Sequence, residues 1–326
     1  MKYKKSEAKE YAREHMVGVW AANLTPFNDA LQLDEKAYRD NLNHWVNDLK
    51  LGGLFIAGKQ AEFFSMSIAE RKRLIDLSVE VASDAGNRNG AGACGIVTSC
   101  SDTNLDVVLE LAEHSKNVGA DYVIVHSPVL HFGADTDETI YEYYRYLSEK
   151  VDLGLAMWNH PDCGYVMSPE LCARIAELPN VVAIKYSTDR AKYARLTEMV
   201  GDKIHVSNPD EPDWLENIIE LGWKLYLCST PPFLLQSKVD QRMNEYTQLA
   251  FAGKFEEARK VRDSLDPVRE AIKHSKPKGK PQAHGKYWQE LLGQHGGPVR
   301  RPLLQLTEAE REATRQAFAQ CGLRTA

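Results

Sequence analysis

Short apolar runs alternate with amphipathic stretches along most of this chain. The runs are "VGVWAAN" (17–23), "GLFIAG" (53–58), "GACGIVT" (92–98), "DYVIVHS" (121–127), "GLAMWN" (154–159), "VVAIKY" (181–186), "KIHVSN" (203–208) and "WKLYLCS" (223–229). Their length and near-continuous apolarity are those of parallel strands covered on both faces. Between them lie segments of helical period, among them "SIAERKRLIDLSVEVASDA", "TDETIYEYYRYLSEKV" and "SPELCARIAELP". Several open with Ser, Thr or Asp at the N-cap and acidic residues in the first turn. Eight such units in succession predict a (β/α)8 barrel over residues 1–252, with a short helical segment at its N-terminus. A doubly wound open sheet is the alternative, disfavoured because no other domain interrupts the eight units.

After residue 252 the rhythm changes. "KFEEARKVRDSLDPVREAIKH" and "TEAEREATRQAFAQ" are helical by period, and the Lys/Pro-rich part between them reads as a loop ahead of an amphipathic "KYWQELL". Residues 253–326 are therefore expected to form a helical extension packed on the barrel.

Composition narrows the function. A net charge of −6 argues against a general nucleic-acid binder. The six cysteines form no CxxC pair and no zinc spacing. The N-terminal "MKYKKSEAKEYAREHM" is no secretory signal, and no apolar run has the length of a membrane span. The expectation is a cytoplasmic protein with a reduced interior, needing no cofactor and no metal.

Barrel chemistry gathers at the C-terminal strand ends. There the outlier is Lys185, closing "VVAIK". Burial disfavours its ammonium and lowers its pKa. A neutral amine attacks a carbonyl carbon, and the resulting protonated imine draws electrons from the neighbouring carbon. The alternative is a lysine whose stem packs while its head reaches water.

Four segments resemble the dihydrodipicolinate synthase / N-acetylneuraminate lyase family. "GVWAANLTPF" is similar to its first-strand signature, and "WNHP" (158–161) to its "YNVP". "SPELCARIAELPNVVAIKYS" is similar to the segment ending in its Schiff-base lysine, and "GPVRRPLLQLTEAEREATRQAF" to its last helix. The resemblance runs from about Val17 to Leu323. It implies a barrel with a helical extension, a homo-tetramer or homo-dimer, a small 2-oxo acid as substrate, and imine chemistry of the pyruvate type at Lys185.

The departures are specific. Trp158 stands where the family carries a proton-relaying tyrosine, and an indole N–H donates a hydrogen bond without exchanging protons. "GKQAE" (58–62) replaces a hydroxyl-bearing loop, so Lys59 and Gln60 are expected to hold the substrate carboxylate by charge and amide donors. Glu62 keeps the family's glutamate position and is expected to hold that loop. Val129 and Leu130 stand where synthase members have tyrosines, and no arginine follows Pro161. With Trp158 they suit an apolar tail, as in hydratase–aldolases acting on arylidene pyruvates. Those enzymes also place the lysine in "KY" and carry asparagine where His160 stands here. His160 is the expected acid/base. Asn208 and Ser229 are expected substrate contacts. The predicted activity is a Schiff-base lyase making or breaking a C–C bond with pyruvate. The alternatives are a 2-keto-3-deoxy sugar acid dehydratase using the same lysine, or a non-catalytic binding barrel.

Overall fold

The computed structural model describes residues 2–89, 94–128 and 136–325. Eight strands form one sheet: β1 (Gly18–Ala22), β2 (Gly53–Ile56), β3 (Gly95–Ser99), β4 (Tyr122–His126), β5 (Gly154–Asn159), β6 (Val181–Tyr186), β7 (His205–Ser207) and β8 (Leu225–Leu227). Their order is β7-β6-β5-β4-β3-β2-β1-β8, and every paired neighbour is parallel. This is the (β/α)8 barrel that the alternation anticipates. At the β7–β8 seam the Ser207 hydroxyl accepts the Leu227 N–H at 2.8 Å, so a side chain bridges the two strands.

Period-two alternation sends one set of side chains outward to the helices and the other inward. The inward set is dominated by Trp20, Phe55, Val97, Tyr122, Ile124, Trp158 and Leu227, all buried. Trp20 takes more room than a strand normally leaves. Its indole lies flat against β2 and β3, where a Cβ on Gly53 or Gly95 would meet ring carbons at 2.2 or 2.3 Å. The two glycines are the space that the indole occupies.

The bottom of the barrel is closed by the helix Ala8–His15. Ala8, Ala12 and Met16 are fully buried against the inward set. Lys2 pairs with Asp121 at 2.6 Å, and the Tyr3 hydroxyl accepts the Gly154 N–H at 2.8 Å. The barrel helices begin as their sequences foretell. Asp34, Ser168 and Asp189 each accept a first-turn N–H at their own helix.

Beyond β8 come helices Arg242–Phe251, Phe255–Asp263, Asp266–Ser275, Pro281–Leu291 and Glu308–Gln320. The helical period over 254–274 is divided at Ser264–Leu265, where Asp266-Pro267 starts a new helix. The Lys/Pro-rich loop ends at Lys280. Pro281 opens the next helix in its first turn, where a missing N–H costs nothing. Among the described residues no helix is long and apolar enough to cross a membrane.

Gly95→Ala is expected to force the Trp20 indole out of its rotamer. A loss of about 1–3 kcal/mol in urea-unfolding stability is expected from overpacking; unchanged stability would refute the fit described for this layer.

Candidate active site

Lys185 leaves β6 on its inward side and ends inside the barrel mouth, 3% exposed. Its Nζ donates to the Cys228 carbonyl at 2.7 Å, reaching from β6 across to β8. Two aromatic faces cover the amine, Phe55 at 5.0 Å and Trp158 at 5.6 Å to the ring centroids. Burial is the largest influence on this group and pulls its pKa down to about 8, against the opposing pull of the Asp210 carboxylate. A carbonyl and two ring faces stabilise an ammonium less than water does, so the neutral amine is accessible near physiological pH.

The amine opens onto a cavity of about 200 Å3 whose walls include Lys59, Gln60, Trp158, His160 and Ser229. Six of the residues singled out from sequence therefore converge, counting Lys185 itself. Trp158 is held edge-on by Phe55 and by His126, with ring centroids 5.1 and 3.9 Å away. Its indole Nε1 is buried with no hydrogen-bond partner among the described residues. His160 continues the same side of the chain past β5. Its Nδ1 accepts the Asp162 N–H at 3.1 Å, which leaves the neutral ring's hydrogen on Nε2. Burial, with the Lys59 and Lys185 charges, pushes His160 down to about 4. It is a neutral imidazole at pH 7, not a group titrating there. Lys59 is ion-paired with Asp162, so the loops after β2 and β5 are clasped across the mouth.

Asn208 does not face this cavity with its amide, which donates to Asp213 at 3.1 Å. Val129 and Leu130 lie outside the described residues. Three wall residues escaped the sequence reading as site members: Ala22, Phe55 and Ser187. Period two from Lys185 points to Ser187 on the same strand face, a signal that was available. Asp210 also borders the cavity, and burial followed by repulsion from Asp213 raises its carboxyl pKa. Tyr186 points the other way, its hydroxyl donating to the Met167 carbonyl at 2.6 Å. Among the described residues no group of three or more His, Cys, Asp or Glu is gathered to hold a metal ion.

The loop carrying Lys59 and Gln60 is anchored from below. Glu62, in the left-handed backbone region, is wholly buried and ion-paired with the equally buried Lys286 at 2.6 Å. Its second oxygen accepts the Arg300 N–H at 2.8 Å. Lys286 donates in turn to the Pro298 carbonyl at 2.8 Å and lies 4.4 Å from the Phe27 ring centroid. Two segments beyond residue 252 thus fix the loop that borders the amine. Sequence reading gave Glu62 its structural part but not its partner, 224 positions away.

The model of the dihydrodipicolinate synthetase family matches residues 15–321. The chain belongs to that family. Its curated relatives include an uncharacterized DapA-like lyase of Thermococcus kodakarensis, 29% identical over 55% of this chain. The matched part spans 58% of that protein's length, and 61% of a similar protein from Thermococcus onnurineus. The 4-hydroxy-tetrahydrodipicolinate synthase of Rhodospirillum centenum is 27% identical over 94% of this chain and 99% of its own. Among solved structures, a dihydrodipicolinate synthase from Acinetobacter baumannii, complexed with pyruvate, superposes with a TM-score of 0.80 at 22% identity. It covers 95% of this chain and 100% of its own. At that identity the likeness establishes the barrel alone.

The initial rate of pyruvate trapping on Lys185 is expected to rise with pH, because the neutral amine is the reacting form. It should level off above about pH 8; a rate still climbing tenfold per unit at pH 9.5 would contradict the depressed amine. Lys286→Met leaves the Glu62 carboxylate buried and alone, and about 3–5 kcal/mol of stability should be lost. Lys286→Met combined with Glu62→Gln should recover most of it in urea unfolding.

Proposed function

We propose that this member of the family is a class I lyase that forms a Schiff base through Lys185 with a 2-oxo acid. It makes or breaks a C–C bond with pyruvate as the small partner. The observation that carries the reading is the amine itself: buried, lowered to about 8, and facing a cavity lined by donors. Lys59, released from Asp162, and Gln60 bind the substrate carboxylate. The buried indole N–H of Trp158 is a further donor for a substrate oxygen.

In the cleavage direction the neutral Lys185 amine adds to the ketone carbon, a proton is taken from solvent and water leaves, giving a protonated imine. The C4 hydroxyl gives its proton to Asp210, whose raised pKa makes it a stronger base than an ordinary carboxylate. The C3–C4 electron pair moves to the iminium nitrogen and an aldehyde departs. The enamine takes that proton back from Asp210 at C3, and water hydrolyses the protonated imine to release pyruvate, the free amine and a proton. The neutral His160 donates from Nε2 to the departing carbonyl oxygen and carries no charge of its own. Aromatic or aliphatic aldehydes suit this site better than an aldehyde bearing a second carboxylate, since no arginine follows Pro161. An arylidene-pyruvate hydratase–aldolase is the specific form proposed.

Pyruvate with cyanoborohydride is expected to leave a reduced adduct on Lys185, read by peptide mass spectrometry, and none on Lys185→Ala. An unmodified Lys185 in the wild-type chain would sink the scheme.

A further inference from the structure

The amine cavity is too small for a whole substrate. About 200 Å3 lies below the roughly 300–1,000 Å3 that ligand sites usually enclose. A second chamber, of about 500 Å3, opens beside it. The two share Gln60, Pro209, Asp210 and Ser229 as a neck.

The chamber lies between the strand ends and the C-terminal helices. Pro231, Leu234 and Leu235, just after β8, form one apolar wall; Ile272 and Pro281 form the other. Its charges are largely paired among themselves. Arg269 holds both oxygens of Glu211, at 2.6 and 2.8 Å, and the Tyr246 hydroxyl donates to the same carboxylate at 2.6 Å. Lys273 stands 3.7 Å from Glu270. His284 is pushed down to about 4 by burial and is neutral, with Nε2 2.9 Å from the Ser275 hydroxyl. Lys276 sits exposed at the rim, facing water. The remaining lining is the proline, leucine and isoleucine of the two walls, with Asp210, Gln60, Ser229 and Thr230 on the side of the neck.

We propose that this chamber receives the distal tail of the substrate, and that the tail is apolar, an aryl or alkyl group carried beyond C3 of the 2-oxo acid. The inference rests on the Lys185 imine of the preceding section and assigns specificity to the C-terminal helices. An apolar tail sheds water against the Pro231, Leu235 and Ile272 walls, while an anionic tail meets the Asp210 carboxylate at the neck and finds Arg269 already held by Glu211.

The test is competition against pyruvate trapping on Lys185, which needs no turnover. The probes are 2-oxo-4-phenylbutanoate and 2-oxobutanoate. The wild-type chain should prefer the aryl compound at least tenfold. Ile272→Trp, which fills the space, and Ile272→Asp, which makes the wall polar, should each cut that preference at least threefold, with melting curves confirming folded protein. Less than tenfold preference in the wild type, or less than a threefold change in either folded variant, overturns the chamber as a tail site. Absence of any pyruvate adduct on wild-type Lys185 overturns the imine reading instead, so the two failures are told apart.

Discussion

The structure turns on one hydrogen bond, from the Lys185 ammonium to the Cys228 carbonyl across the top of the barrel. It holds the amine inside the protein without supplying a countercharge. A carboxylate in the carbonyl's place would raise the pKa and keep the group protonated. Exposure to water would do the same and release the side chain as well. A neutral acceptor combined with two ring faces occupies the middle ground, where burial dominates but the amine stays positioned. The geometry depends on β6 and β8 standing two places apart around the barrel, so the amine's placement follows from the barrel's closure.

The segments beyond residue 252 participate in the mouth. The Glu62–Lys286 pair is fully withdrawn from solvent, and such a pair contributes little net stability compared with an apolar filling of the same space. Its value here is in fixing geometry. Glu62 sits in a left-handed turn at the end of "GKQAE", and two interactions from distant chain segments set where that turn lies. Lys59 and Gln60, three and two residues earlier, are carried with it.

The sequence made the architecture legible because parallel strands buried on both faces leave unbroken apolar runs. All eight runs became strands, most of them trimmed by a residue or more at an end. Lys185 was legible for the same reason, as a charge at the end of such a run. The rest depended on three-dimensional placement. Lys286 is one lysine in a mixed amphipathic segment, and nothing local distinguishes it from a solvent-facing neighbour. His160 looked suited to titrate near neutrality, but its burial, and the Lys59 and Lys185 charges beside it, become visible only in the assembled mouth. Asn208 stands at a strand end as a ligand contact would, yet Asp213 is close enough to engage its amide. The family resemblance, carried by segments spread from Val17 to Leu323, matches the span of the family model.

The helix Ala8–His15 stoppers the floor of the barrel, and the layer around Trp20 fills the space above it. Among the described residues, the cavity that holds the amine therefore lies above a filled floor and is joined at its neck to the chamber beside the C-terminal helices. Access to the amine is one-sided: among the described residues it comes from the C-terminal ends of the strands and not through the floor.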